Sequence, residues 1–364
     1  MKRLIITAAV VVLMFWAAVP LSAGADYSEA ESELSGQVND MLEEYDIGID
    51  YGELAGMSFS ELLAEVRSSA AARASAPLKM LGTLIVVAVF TAVVRSVGEA
   101  AFPEKSAPQT YDMVCVITAV AVITPQLMAV YRRAEEAIGR VSGFISVFVP
   151  VFSGMTIASG GVLSGSIYNA AALGASELIV GLSASYLMPV LSMTAVLAIS
   201  GSVFPNGSAD SIIALLKKLI TWGITIVMTL FTGFVSLKCT LAGRADGAAT
   251  KTAKFIISGT VPIIGGAVSD AYSSVRSSFD VMVSTAGIAG TVAVLLIMLP
   301  PIIEILIFRA VIWAGTSAAE LFSAAPLVKL LKGLDSGLAI AQSVLISYMV
   351  IFVVSTAILI QSLP

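Results

Sequence analysis

The chain has 364 residues, of which 57% are hydrophobic and only 12% charged, with a formal net charge of -5 and no histidine. A soluble core of this length cannot bury so much apolar side chain, so the composition excludes an ordinary soluble enzyme and predicts an all-α polytopic integral membrane protein. The missing histidine removes the commonest general base, proton relay and transition-metal ligand.

Residues 1–25 read as a signal peptide. Lys2 and Arg3 form its basic start, LIITAAVVVLMFWAAV its apolar stretch, and Ala23-Gly24-Ala25 a small-residue site with cleavage before Asp26. The short apolar stretch favours cleavage over an uncleaved first membrane helix. Residues 26–76 then form an acidic extracytoplasmic segment, with twelve carboxylates against Arg67 and Arg73. Within it SFSELLAEV, residues 58–66, predicts a short amphipathic helix. Ser58 is its N-cap, Glu61 closes a capping box, and Leu62, Leu63 and Val66 lie on an apolar face. That face is a candidate partner-binding surface, with a solvated acidic tether as the alternative.

Residues 77–364 form the polytopic membrane domain. Apolar stretches near 78–98, 112–131, 143–163, 174–199, 214–237, 281–300, 302–322 and 338–361, with a shorter one at 255–268, give seven to nine membrane segments. Pro189 and the pair Pro300-Pro301 each predict a kinked helix or two half-helices. FVPVFSGMTIASG (148–160) and GTVPIIGGAVSDAY (259–272) bring proline and glycine into apolar runs. Pro150 and Pro262 lie 112 residues apart, and Pro77, Pro189 and Pro301 share that spacing. Val149 with Val261, Gly154 with Gly266 and Arg132 with Arg244 fall in the same register, which suggests a diverged internal repeat of about 112 residues. Each unit would hold two helices, a basic loop and a V-P segment. On that reading Pro150, Gly154, Pro262, Gly265, Gly266 and Asp270 mark broken or re-entrant segments lining a cavity. Close helix packing through small residues is the plainer account of the same glycines.

Three charges interrupt apolar runs: Glu177 in LGASELIVGL, and Glu304 and Arg309 in PPIIEILIFR. Glu304 and Arg309 are five residues apart and face different ways on one helix, so each needs a partner elsewhere. They are candidate intramembrane charges, paired between helices or lining a substrate path. Cys115 and Cys239 have no metal-ligand residue near them in sequence, and no catalytic or nucleotide-binding motif is present. Neither enzymatic activity, a cofactor, a metal nor a nucleic-acid partner is expected; membrane lipid is. The residues alone give an assembly component or a permease, with an autonomous secondary transporter of a small solute as the alternative.

The order of these features is more specific than any one of them. A signal peptide, an acidic segment ending in SFSELLAEV, then PVFSGMTIASG, a basic loop and TVPIIGGAVSDAYSSVRSS resembles the stage III sporulation protein AE family over essentially the whole chain. The resemblance implies a membrane subunit of the sporulation channel, or feeding-tube, complex that links mother cell and forespore. Such a subunit is permease-like or export-gate-like and is needed for late forespore gene expression. The implied partners are other stage III A sporulation proteins and, indirectly, a forespore stage II Q-type protein and an ATPase subunit. The implied location is the mother-cell-derived membrane around the forespore, with the N-terminal segment extracytoplasmic.

Overall fold

The computed structural model describes residues 36, 39, 51–101, 107–203, 209–260 and 265–362. The predicted signal peptide, most of the acidic segment before residue 51 and Pro262 lie outside the described residues. Within them the chain is all-α. A short α1 (Tyr51–Gly56) precedes α2 (Phe59–Ala101) and α3 (Ala107–Ala158). Then come α4 (Val162–Leu182), a π-helical turn (Ser183–Leu187), α5 (Met188–Val203), α6 (Ala209–Thr260), α7 (Gly265–Leu321) and α8 (Ala325–Gln361).

The start of α2 is fixed locally by its sequence. The Ser58 backbone N–H donates to Glu61 Oε2 at 2.7 Å, and the Glu61 N–H donates to Ser58 Oγ at 3.3 Å, the reciprocal pair of a capping box. The backbone bond, and after it the Ser58 hydroxyl, hold the Glu61 carboxyl below its ordinary value of 4.5. A depressed folded pKa stabilises above the unfolded value, and that contribution disappears as pH falls through the folded one. Acidification through this range is therefore expected to speed amide exchange at residues 58–62 in the natural chain beyond the intrinsic pH effect, and to leave the Glu61→Gln variant without that step. Identical pH profiles for the two proteins would refute the cap.

The helix that starts there is not short. It runs on through Pro77 as 43 residues, so SFSELLAEV is the first part of the first long apolar helix rather than a separate amphipathic element. Leu62 is buried at 5% exposure within the protein's own core. The same continuity corrects the expected chain breaks. The stretches 112–131 and 143–163 are largely joined in α3, which passes through Pro125 and Pro150, and 281–300 and 302–322 are joined in α7 across Pro300 and Pro301. Arg132, Arg133 and Arg140 consequently lie inside a helix, not in a basic loop. In apolar surroundings, with neighbouring helices to satisfy the freed carbonyl groups, a helix tolerates proline where water would favour a break. Only Pro189 follows a distortion: the π-helical turn Ser183–Leu187 ends directly before Met188 and Pro189.

Among the described residues six helical segments are long and apolar enough to cross a membrane: Ala70–Val94, Met113–Ala158, Val162–Val203, Ala209–Ile256, Arg276–Leu321 and Ala325–Gln361. The protein is an all-α polytopic membrane protein, and its described segments are fewer and longer than the hydropathy stretches gave. An offset of 112 residues carries the end of α3 at Ala158 to position 270, inside α7, whereas α6 ends at Thr260. Helix boundaries thus do not follow the suggested repeat.

Helix α7 is the centre of the bundle and α6 its periphery: 72% of the most apolar window of α7 is buried, against 6% in α6. Against α7, α3 presents a row of rings, Phe144, Phe148 and Phe152, stacked at 5.2 and 5.3 Å. Gly290 on α7 lets the two helices meet there, because a Cβ at that position would overlap the Phe148 ring.

Candidate functional site: two buried polar clusters

The first cluster binds α2, α3, α7 and α8 together. Glu304 on α7 is buried, and Arg133 of α3 holds it by two bonds, Nε to Oε2 at 2.9 Å and Nη2 to Oε1. Arg73 of α2 stands 3.7 Å from the same carboxylate. One and a half turns further along α7, Arg309 donates from Nε to Asp335 Oδ1 at 2.7 Å, from Nη2 to Oδ2 at 3.2 Å, and from Nη1 to Gln342 Oε1. A bidentate fork on a carboxylate is the strongest pairing that a guanidinium makes. Beside it the Tyr131 ring and hydroxyl fill the space above Gly337, where a Cβ would also meet Thr194 Oγ1 at 2.8 Å.

The second cluster lies at the turn between α3 and α4. Gly160, at φ 96°, reverses the chain in a conformation that side chains resist, and a Cβ there would sit 2.8 Å from Arg276 Nη1. Helix α4 begins without a cap of its own. Asp246, 4% exposed on α6, supplies one across the bundle: its carboxylate accepts the N–H groups of Leu163 and Ser164 at 3.1 and 3.0 Å and the Ser164 hydroxyl at 2.9 Å. Arg276 of α7, also buried, donates to Thr250 of α6. Alanine at 246 strands the buried N–H and hydroxyl of Ser164 and the part-buried N–H of Leu163. It is expected to cost about 2 kcal/mol of stability, with asparagine costing less, read by thermal unfolding in detergent. A melting temperature unchanged in the alanine variant would remove Asp246 from this role.

Arg276 and Glu304 are 28 residues apart on α7, about 42 Å along the axis, which is the thickness of a bilayer with its headgroups. Both clusters tie helices together.

The residues singled out from sequence fall in different places. Glu304 and Arg309 enter the first cluster, each with its partners on other helices, as their five-residue spacing requires. Glu177 is exposed on α4, while Pro150 and Gly154 lie exposed on an unbroken stretch of α3. Gly265, Gly266 and Asp270 begin α7. Helix α3 ends at Ala158, so the chain turns at 159–161 and not at Pro150. Cys115 and Cys239 are both buried, and among the described residues no group of His, Cys, Asp or Glu is placed to hold a metal ion. Asp335, Gln342, Asp246 and Arg276 went unnoticed in the sequence as site residues, and Arg133 was read only as part of a basic loop; of these Asp246 carried a faint signal, as a lone carboxylate in a basic stretch.

Comparison with known proteins adds an independent line. A family model described as stage III sporulation protein AE matches residues 43–362. A curated protein, stage III sporulation protein AE of Bacillus subtilis (strain 168), is 25% identical over 228 residues, which cover 63% of this chain and 57% of the relative's length. No solved structure matches.

Proposed function

Since this chain belongs to the stage III sporulation protein AE family, we propose that it serves sporulation as a permease-like or export-gate-like membrane subunit of a channel complex between mother cell and forespore. The partners in this reading are other stage III A proteins, with a stage II Q-type forespore protein and an ATPase engaged indirectly. It resides in the mother-cell-derived membrane around the forespore, and its N-terminal segment is extracytoplasmic.

One observation carries the reading. The apolar segment of α3, Met113–Ala158, has 46 residues and is about 69 Å long, whereas a bilayer's hydrocarbon covers about 30 Å. Lipid covers less than half of that length, and the remainder, which includes Arg132, Arg133, Glu135, Glu136 and Arg140, needs headgroups, water or protein against it. Helix α2 offers a matching face: Val86, Phe90, Val93 and Val97 are 65%, 67%, 55% and 63% exposed. Their spacing of four, three and four residues is the seam that a second helix packs against.

The test is purification of the tagged chain from sporulating cells in gentle detergent, with identification of what accompanies it. Other stage III A proteins are expected. Changing Phe90 and Val93 together to serine should reduce their recovery about ten-fold, as loss of an interface anchor does, while leaving the bundle folded because both side chains are exposed. Recovery of the chain alone from well-solubilised membranes would turn the reading toward the autonomous transporter.

A further inference from the structure

A groove of about 1100 Å³ lies between the first third of α6 and the turn from α7 to α8. Its apolar wall includes Ile213, Trp222 and Val328, and four lysines line it: Lys217 and Lys218 from α6, Lys329 and Lys332 from α8. The two carboxylates of the groove are already engaged, Asp210 with Lys329 at 3.2 Å and Glu320 with Lys332 at 2.8 Å. Lys217 and Lys218 form no ion pair among the described residues. The groove therefore keeps a surplus of two positive charges beside an apolar wall.

The rest of α6 sets the depth of those charges. From Leu219 to Leu237 the helix has nineteen residues without a charge, about 28 Å, bounded by Lys217 and Lys218 at one end and Lys238 at the other. That length matches the hydrocarbon core of about 30 Å, and lysines at both ends with a tryptophan just inside one of them are interface anchors. From Trp222 a stripe of Ile226, Leu230 and Phe234 runs down the exposed face at intervals of four residues. It spans about 18 Å, close to one leaflet's depth of about 15 Å.

We propose that this groove binds an anionic phospholipid, its phosphate held by Lys217 and Lys218 and one acyl chain laid along the stripe from Trp222 to Phe234. The observations favour lipid over a soluble anion because Lys218 stands one turn before Trp222 at the head of the acyl-length apolar track, and Lys217 lines the same groove beside it. Lys329 and Lys332, neutralised by their own carboxylates, frame the headgroup and discriminate less.

The experiment uses the full chain purified in detergent and titrated with phosphatidylglycerol or phosphatidylethanolamine, with bound lipid counted by native mass spectrometry. Phosphatidylglycerol should bind the natural chain more tightly than phosphatidylethanolamine. The Lys217→Gln/Lys218→Gln variant should bind it about thirty-fold more weakly, roughly five-fold for each lysine removed. Trp222→Ala should weaken both lipids, and Lys251→Gln/Lys254→Gln, on the same helix outside the groove, should change neither. Equal binding of the two lipids, equal binding by the natural chain and the Lys217/Lys218 variant, or displacement of lipid by inorganic phosphate would overturn the proposal. All of these readings are independent of whether the chain assembles with sporulation partners.

Discussion

Replacing Asp335 with leucine lowers the stability of the folded protein by about 3 kcal/mol, the lower end of what removing one member of a buried ion pair costs. The Arg309 side chain is only 9% exposed, and Asp335 takes two of its donors in a fork. Without that carboxylate the guanidinium loses its forked anionic partner while its charge stays in an apolar interior. Asp335 itself is 29% exposed, which places the figure at the low end. Changing Arg309 and Asp335 together to leucine removes the stranded charge and should recover most of the loss. The measurement is thermal unfolding in detergent of the two single variants and the double. Additive losses would mean that the two groups do not interact, whereas recovery in the double variant isolates the pair.

Gly290→Val is the second large effect, about 3 kcal/mol, because overpacking has nowhere to relax. A Cβ at 290 overlaps the Phe148 ring, and that ring is stacked between Phe144 and Phe152, with Phe352 of α8 edge-on at 6.2 Å. A flexible chain end could swing aside; a ring in a stacked row moves only if α3 and α7 separate. The contrasting substitution is Gly154→Ala on α3, where the new methyl meets nothing within 4 Å. There the helix gains up to about 1 kcal/mol from the lost backbone freedom of glycine. Opposite signs at two glycines of one bundle, read from melting temperatures, test the packing directly. A Gly290→Val protein that melts with the natural one would show that the α3–α7 contact is looser than described.

The membrane class was legible because apolar stretches of bilayer length are a local property of the chain. So was the capping box at Ser58 and Glu61, whose partners are three residues apart. Where the stretches join was not legible. The charges around Arg133 read as a loop, since their reason for being in a helix is Glu304, 171 residues away. The same distance hides the clusters: Glu304 and Arg309 stand out as charges in apolar runs, but nothing near them in sequence names Arg133, Asp335 or Gln342. Asp246 serves a helix start 82 residues earlier, a task that leaves no pattern in its own neighbourhood. Prolines misled because their usual effect is judged against water. At Pro150 the helix continues unbroken, and at Pro189 a π turn comes directly before the proline.

The unbroken run of α2 has a mechanical consequence. Forty-three residues of continuous helix make a strut about 64 Å long, capped at Ser58 and clamped part-way by Arg73 against Glu304. No proline interrupts the helix between Ser58 and Arg73, so a pull on the capped end arrives as torque at the clamp, and Pro77, one turn further on, is the point at which the far arm flexes. The exposed seam from Val86 to Val97 lies beyond that clamp, on the far arm of the lever.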